Sequence, residues 1–373
     1  MPVRGQSPSS GFEAVGSVAV RTFATHQHMT TAHQMMDGQH VNAMAGNEGG
    51  RESTPFADYD EVPEGHFYDP DAEYEPDPEY AATLAPDAAR QRRERIGPTG
   101  RPLPYFPIPG PLTDHGPATI IAMCNQKGGV GKTTSTINLG AALAEYGRRV
   151  LLVDFDPQGA LSVGLGVNPM ELDLTVYNLL MERGMAADEV LLKTAVPNMD
   201  LLPSNIDLSA AEVQLVSEVA RESTLQRALK PLMQDYDYIV IDCQPSLGLL
   251  TVNALTAAHK VIVPLECEFF ALRGVALLTE TIEKVQERLN PELELDGILA
   301  TMYDSRTVHS REVLARVVEA FDDHVYHTVI GRTVRFPETT VAGEPITTYA
   351  SNSVGAAAYR QLAREVLARC HAE

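Results

Sequence analysis

Lys127-Gly128-Gly129-Val130-Gly131-Lys132-Thr133-Thr134 is a stretch whose residue types and spacing read directly as chemistry. Glycines this close together let backbone N–H groups turn inward around an anion. A helix that starts where such a loop ends adds the partial positive charge of its first turn. The pattern is therefore a phosphate loop. Lys132 stands where an ammonium meets the β- and γ-phosphates of a nucleotide, and the Thr133 hydroxyl where it binds Mg²⁺. An ordinary glycine-rich turn would explain the glycines but not two lysines and a threonine pair.

Carboxylates close two apolar runs further along. Val150-Leu151-Leu152-Val153 leads into Asp154-Phe155-Asp156-Pro157-Gln158-Gly159, and Ile239-Val240-Ile241 ends at Asp242. An acid at the carboxyl end of a strand is placed to hold the hydration shell of Mg²⁺, which keeps several waters. A structural cap or an ion pair is the competing role, more so for Asp154 than for Asp156.

These groups must be carried by a regular scaffold. From Ala118 onward short β-branched runs alternate with helical periods. The predicted strands are 119–124, 149–154, 200–203, 238–242, 260–264, 297–302 and 324–329. The predicted helices are 133–146, 209–219, 247–257, 273–289, 310–322 and 353–370. Strands that are apolar throughout and alternate with helices imply an α/β fold, a mostly parallel central sheet with helices on both faces. On the first helix Ile137, Gly140, Ala141 and Ala144 share one face of small residues suited to close packing on that sheet.

The loop departs from the general G-x-x-x-x-G-K-[ST] pattern: its first glycine is replaced by Gln126, and Lys127 adds a second lysine. K-G-G-x-G-K-[ST]-T resembles the deviant Walker A motif of the ParA/Soj/MinD family of P-loop ATPases. Three further blocks resemble the family in the same order. Asp154 to Gly159 looks like its D-x-D-P-Q-G switch. Asp242-Cys243-Gln244-Pro245-Ser246 looks like its D-x-P-P-S turn, with Gln244 in place of a proline. Thr301-Met302-Tyr303-Asp304-Ser305-Arg306-Thr307 and Thr333-Val334-Arg335 look like late motifs. The resemblance spans roughly residues 118–370.

The resemblance implies ATP and Mg²⁺ as cofactors. It implies ATP contacts from Lys127 through Thr134, including Gly128, Gly129, Val130 and Gly131. It puts Thr133, Asp154 and Asp242 around the metal and makes Asp156 the residue that orients the attacking water. It has Lys127 cross a two-fold interface to the ATP of a second copy, where a cation offsets charge on the transferring phosphoryl group. ATP then joins two copies and hydrolysis parts them.

Among the family's branches the ParA/Soj reading fits best. Cys124, Cys243, Cys267 and Cys370 do not suit an interfacial iron–sulfur cluster. The last helix carries Val354, Ala358, Leu362 and Val366 as a core stripe and lacks a bulky apolar tail, so a MinD-like membrane helix is the lesser alternative. Only Tyr349 and Tyr359 lie near the C-terminus, too few for a tyrosine-kinase branch. The resemblance implies an ATP-dependent homodimer that binds double-stranded DNA without sequence preference, through Arg306, Arg335 and the helper Arg332. It also implies a ParB-like centromere-binding partner and a cytoplasmic, nucleoid-associated location. A regulator that binds ATP and recruits through its acidic arm is the reading from another class.

Charge bounds this. The chain has 373 residues with 29 basic and 50 acidic groups, a net of −21, which excludes a uniformly basic nucleic-acid binder. From Ala300 onward 8 arginines face 9 acids, and local cations are what phosphate binding needs. Residues 1–115 hold 8 basic and 17 acidic groups with short apolar runs. They read as a disordered acidic extension ending in a Pro/Gly linker, with one helical island at 80–96. Residues 116–373 read as the ATPase domain.

Overall fold

A computed structural model describes residues 96–268 and 271–370. The helical island expected at 80–96 therefore falls almost wholly outside the described residues. The elements run β1 (Thr119–Met123), α1 (Lys132–Glu145), β2 (Val150–Phe155), α2 (Ala160–Gly164), α3 (Val176–Met181), α4 (Ala187–Val190), β3 (Leu192–Lys193), β4 (Met199–Leu202), α5 (Leu208–Gln214), α6 (Thr224–Leu229), β5 (Tyr238–Cys243), α7 (Leu249–Ala257), β6 (Lys260–Glu266), α8 (Ala271–Arg288), β7 (Glu294–Thr301), α9 (Val308–Phe321), α10 (Arg335–Ala342), α11 (Ile346–Tyr349) and α12 (Val354–Cys370).

The strands form one sheet in the order β3-β4-β2-β5-β1-β6-β7. Every pairing is parallel except the short β3–β4 edge. Successive residues of a strand point to opposite faces, so each strand feeds two cores. Ile120 and Ala122 join one cluster with Ile239, Ile241 and the helices α5 to α9. Ile121 and Met123 join the other with Val240, α1 and α12. The α1 face of small residues packs as its spacing implies. A Cβ on Gly140 would lie 2.7 Å from the Leu152 side chain of β2.

One predicted strand, 324–329, is not formed. Val325 makes only an isolated bridge to Ile298. The reason is a side chain on α12. The Glu365 carboxylate accepts from His327 N at 2.7 Å and from Thr328 N at 2.9 Å, so those N–H groups are satisfied without a sheet partner. Apolar spacing cannot reveal such a competitor.

The segment before β1 has no regular secondary structure, yet it is fastened to the domain. Arg101 donates to the carbonyls of Asp322 and Val325, and Arg148 donates to Gly110 O at 2.7 Å. His115 Nδ1 lies 2.8 Å from Asp237 Oδ2, and Gly116 N donates to Asp237 Oδ1. No helix among the described residues is long and apolar enough to cross a membrane.

Candidate nucleotide site

The carboxyl ends of β1, β2 and β5 bring together the groups picked out by spacing. Parallel strands put all their C-terminal ends at one edge, which is where such sheets bind ligands. Asn125 shapes the loop that follows β1. Its side chain donates to Pro264 O at 2.7 Å and accepts from Lys127 N at 2.9 Å, so the loop is pinned to the neighbouring β6. Gly129 and Gly131 hold φ angles of 76° and 84°, the left-handed region that turns the N–H groups inward. Thr301 Oγ1 donates to Val130 O at 2.9 Å and fixes the far side of the turn.

The two lysines of the loop are oppositely placed. Lys132 is buried, 7% exposed, at the first position of α1. Its hydrogen bond among the described residues is to the Lys127 carbonyl, at 3.2 Å, and it forms no ion pair there. A cation buried without a carboxylate partner is costly unless an anion completes it, so this donor set fits a phosphate chain. Lys127 sits at the rim, with a side chain 46% exposed, and meets Glu266 Oε2 at 3.0 Å and Glu268 Oε2 at 2.6 Å. Those hydrogen bonds, Glu268 foremost, hold its ammonium above the usual lysine range despite some burial.

Asp242 lies next to the first turn of α1. Thr133 Oγ1 donates to its Oδ2 at 2.6 Å. Burial, and then the charge of Asp154, push its carboxyl up to about 8. A carboxyl so raised favours a cation beside it, and a hydroxyl already in contact supplies a second oxygen, so Thr133 and Asp242 fit a hydrated Mg²⁺. Asp154, expected around the metal with Thr133 and Asp242, is also fully buried, and its oxygens are engaged within the protein, on the side of the switch segment. Oδ2 accepts from Ser162 N at 2.8 Å and Ser162 Oγ at 2.7 Å, and Oδ1 accepts from Asp156 N at 3.4 Å. Asp156 is half-buried and caps its own turn through Gln158 N.

Each expected DNA-contact arginine is exposed and each already has a carboxylate. Arg306 pairs with Asp304 through two bonds of 2.9 Å, Arg335 with Glu338 at 2.9 Å, and Arg332 with Glu266 at 3.4 Å. Arg332 and Asp304 line a pocket of about 240 Å³ with Glu266 and Met302, at the ends of β6 and β7. Arg335 opens α10, whose Thr339 and Thr340 face Thr133 and Thr134 across a pocket of about 170 Å³.

Sequence reasoning missed Ser162, Glu266 and Glu268. Ser162 lies in the D-x-D-P-Q-G block's own helix, and a serine eight residues past a buried acid is a weak but readable signal. The two glutamates are 139 and 141 residues from Lys127, and nothing local announces them.

A phosphate loop between a strand and a helix, with a buried acid on the adjacent strand, defines a P-loop nucleotide-binding protein of the α/β class. A family model described as an AAA domain matches residues 118–295. The chain is 68% identical over 274 residues to an uncharacterized protein of Mycobacterium tuberculosis, covering 74% of this chain and 86% of that one. It is 49% identical over 249 residues to the sporulation initiation inhibitor protein Soj of Bacillus subtilis, covering 67% of this chain and 98% of Soj. The crystal structure of cobyrinic acid a,c-diamide synthase from Mycobacterium smegmatis, with bound ATP analog and magnesium, superposes with a TM-score of 0.61 at 45% identity. It covers 68% of this chain and 96% of that one. The chain belongs to the ParA/Soj family of chromosome-partitioning ATPases, within the ParA/MinD superfamily.

Proposed function

We propose that the chain is a ParA-type partitioning ATPase whose two copies close face to face on ATP and Mg²⁺, and whose closed form binds DNA without sequence preference. A ParB-like centromere-binding partner then speeds hydrolysis and release, so that the protein cycles on and off the nucleoid. The observation that carries the reading is the contrast between the two lysines of one loop. Lys132 is buried where a phosphate chain of its own copy would lie, while Lys127 stands at the rim, its side chain about half exposed and paired with carboxylates at the protein's edge. The likeness to Soj over nearly its whole length supports the partitioning role.

In this reading Lys132 and the loop N–H groups bind the phosphates, and Thr133 and Asp242 hold the metal, which supplies neutralisation of the phosphate charge. Asp154 sets the switch loop through Ser162 and so positions Asp156, which orients the attacking water. Lys127 of one copy brings its charge to the phosphates bound by the other. Arg306, Arg332 and Arg335 leave their surface carboxylates for DNA phosphates. The more exposed pairs of Arg306 and Arg335 stabilise by only about 0–1 kcal/mol, so their exchange is inexpensive. Two copies double the phosphate contacts, which gives the closed form its higher DNA affinity.

Sedimentation of Asp156→Ala with ATP and Mg²⁺ tests the reading. A species of twice the 40.6 kDa chain mass that disappears on adding Lys127→Ala is expected. A single-copy species throughout would refute it.

A further inference from the structure

Lys127 does not rest in solvent. Its ammonium is clasped by two carboxylates of its own copy, Glu268 Oε2 at 2.6 Å and Glu266 Oε2 at 3.0 Å. Glu266 ends β6 and its side chain is 13% exposed, whereas Glu268 lies two residues beyond with a side chain 54% exposed. The Asn125 side chain holds the encounter in place. Asn125 bonds both to Pro264 O on β6 and to Lys127 N, so the loop residue that carries the lysine is held over the end of the strand that carries the glutamates. The second oxygen of Glu266 meets Arg332 at 3.4 Å, so one buried-edge carboxylate serves two cations that the proposed cycle sends elsewhere.

We propose that Glu266 and Glu268 form an acidic clasp that keeps Lys127 in its own copy and acts as a check on dimerisation, an inference that rests on the face-to-face ATP dimer. A lysine that leaves two carboxylates needs an equivalent anion at its destination, or it strands a desolvated charge at an interface. The triphosphate of the second copy supplies that anion. Closure without nucleotide supplies none, so the clasp makes assembly depend on the ligand. Glu266 and Glu268 are positioning residues here. They act through Lys127 and do not touch the reacting atoms.

The clasp is testable in both states of the chain. In the nucleotide-free protein, acetylation of Lys127 by an N-hydroxysuccinimide ester, read by peptide mass spectrometry, should be several-fold faster in E266Q/E268Q than in the parent, because an unpaired ammonium gives up its proton more readily. Equal rates would overturn the clasp. In the Asp156→Ala background with ATP and Mg²⁺, Glu268→Gln removes one charge and leaves Arg332 paired. It should tighten the dimer by about two- to fivefold in sedimentation, and E266Q/E268Q by on the order of tenfold. A dimer constant that is unchanged or weaker in these variants, with the parent still dimerising, overturns the check and leaves the dimer reading intact. A parent that stays single overturns both.

Discussion

Asp154 and Asp242 are register partners on the adjacent strands β2 and β5, two fully buried carboxylates side by side at the carboxyl edge of the sheet. Their partners divide them by role. Asp242 meets Thr133 and Thr136 of α1, the helix of the phosphate loop. Asp154 meets Ser162 of α2, the helix of the switch. One acid is tied to the phosphate side of the site and the other to the segment that carries Asp156. Burial raises the Asp154 carboxyl to about 6, against the opposing hydrogen bonds from Ser162.

Ser162→Ala should therefore act on the switch while leaving the loop in place. The Ser162 hydroxyl donates to Asp154 and accepts from Ser204 N at 3.2 Å, so its loss leaves two buried polar groups short of a partner. A destabilisation of about 1–3 kcal/mol in urea unfolding is expected. ATP affinity should hold and kcat should fall, because Asp154, the acceptor of the Asp156 N–H, is held less firmly. Unchanged turnover in a steady-state phosphate-release assay would separate Ser162 from the switch.

Lys132→Ala should leave the fold intact, since the ammonium forms no ion pair among the described residues. Removing a buried cation opposite a polyanion costs about 2–5 kcal/mol of binding. Titration with a fluorescent ATP analogue should show affinity lower by on the order of a hundredfold or more. A loss of only a few-fold would place the phosphates elsewhere.

The arginine helix and the switch helix touch backbone to backbone. Gly343, which caps α10 with φ 70°, approaches Gly166 just past α2 so closely that a Cβ would lie 2.7 Å from Gly166 Cα and 2.9 Å from its nitrogen. Gly343→Ala meets a left-handed conformation that costs about 1–2 kcal/mol and an overlap that costs about 1–3 kcal/mol. A clear drop in midpoint is expected in thermal and chemical unfolding. An unaltered midpoint would show that α10 is free to move away from α2.

The parts of this site that were legible in the sequence are those in which one local segment does the work. The lysines and glycines of the loop, Asp156 in its own turn and Asp242 at a strand end all announce themselves by spacing. So did the parallel strands, whose apolar runs reflect burial on both faces. What stayed hidden depends on partners distant in the chain. Glu365 removes a strand by bonding His327 and Thr328, and Glu266 and Glu268 hold Lys127. α10 was missed because Arg335-Phe336-Pro337-Glu338-Thr339-Thr340 has low helix propensity. Its proline is tolerated in the first turn, and the helix is stabilised by packing. The two-residue edge strand β3 is too short to show any period.

His259 provides a pH-dependent element far from the nucleotide. Its Nδ1 accepts the Ile120 N–H at 2.9 Å at the start of β1, which requires an unprotonated ring nitrogen. Burial lowers its pKa from 6.5, against a weaker opposing pull from Glu292. The folded chain therefore binds fewer protons than the unfolded one below about pH 6.5, and stability rises with pH through that window. The contribution is complete above the unfolded value and declines as pH falls toward the folded one. His259→Asn can accept the same bond without titrating, so its stability should fall less than the wild type's between pH 7 and 5 in urea unfolding. Parallel curves for the two proteins would mean that this ring carries no proton linkage.

Arg335→Glu tests the DNA contact proposed for this arginine. Arg335 is exposed and paired with Glu338 three residues on, at the start of α10, and is not among the residues lining the pocket beside Thr133 and Thr134. ATP-dependent dimerisation should therefore survive the change. Each lysine or arginine on a phosphate contributes about 0.9 to the slope of log affinity against log salt. A dimer that loses two such contacts should show a slope shallower by about two, with DNA binding weakened most at low salt. Arg335→Ala should reproduce the change in slope with a smaller loss of affinity, because it removes the contact without adding repulsion. Fluorescence anisotropy on a random duplex across a salt series reads both quantities. An unchanged slope in both variants would remove Arg335 from the contact surface and leave Arg306 and Arg332 to account for any binding.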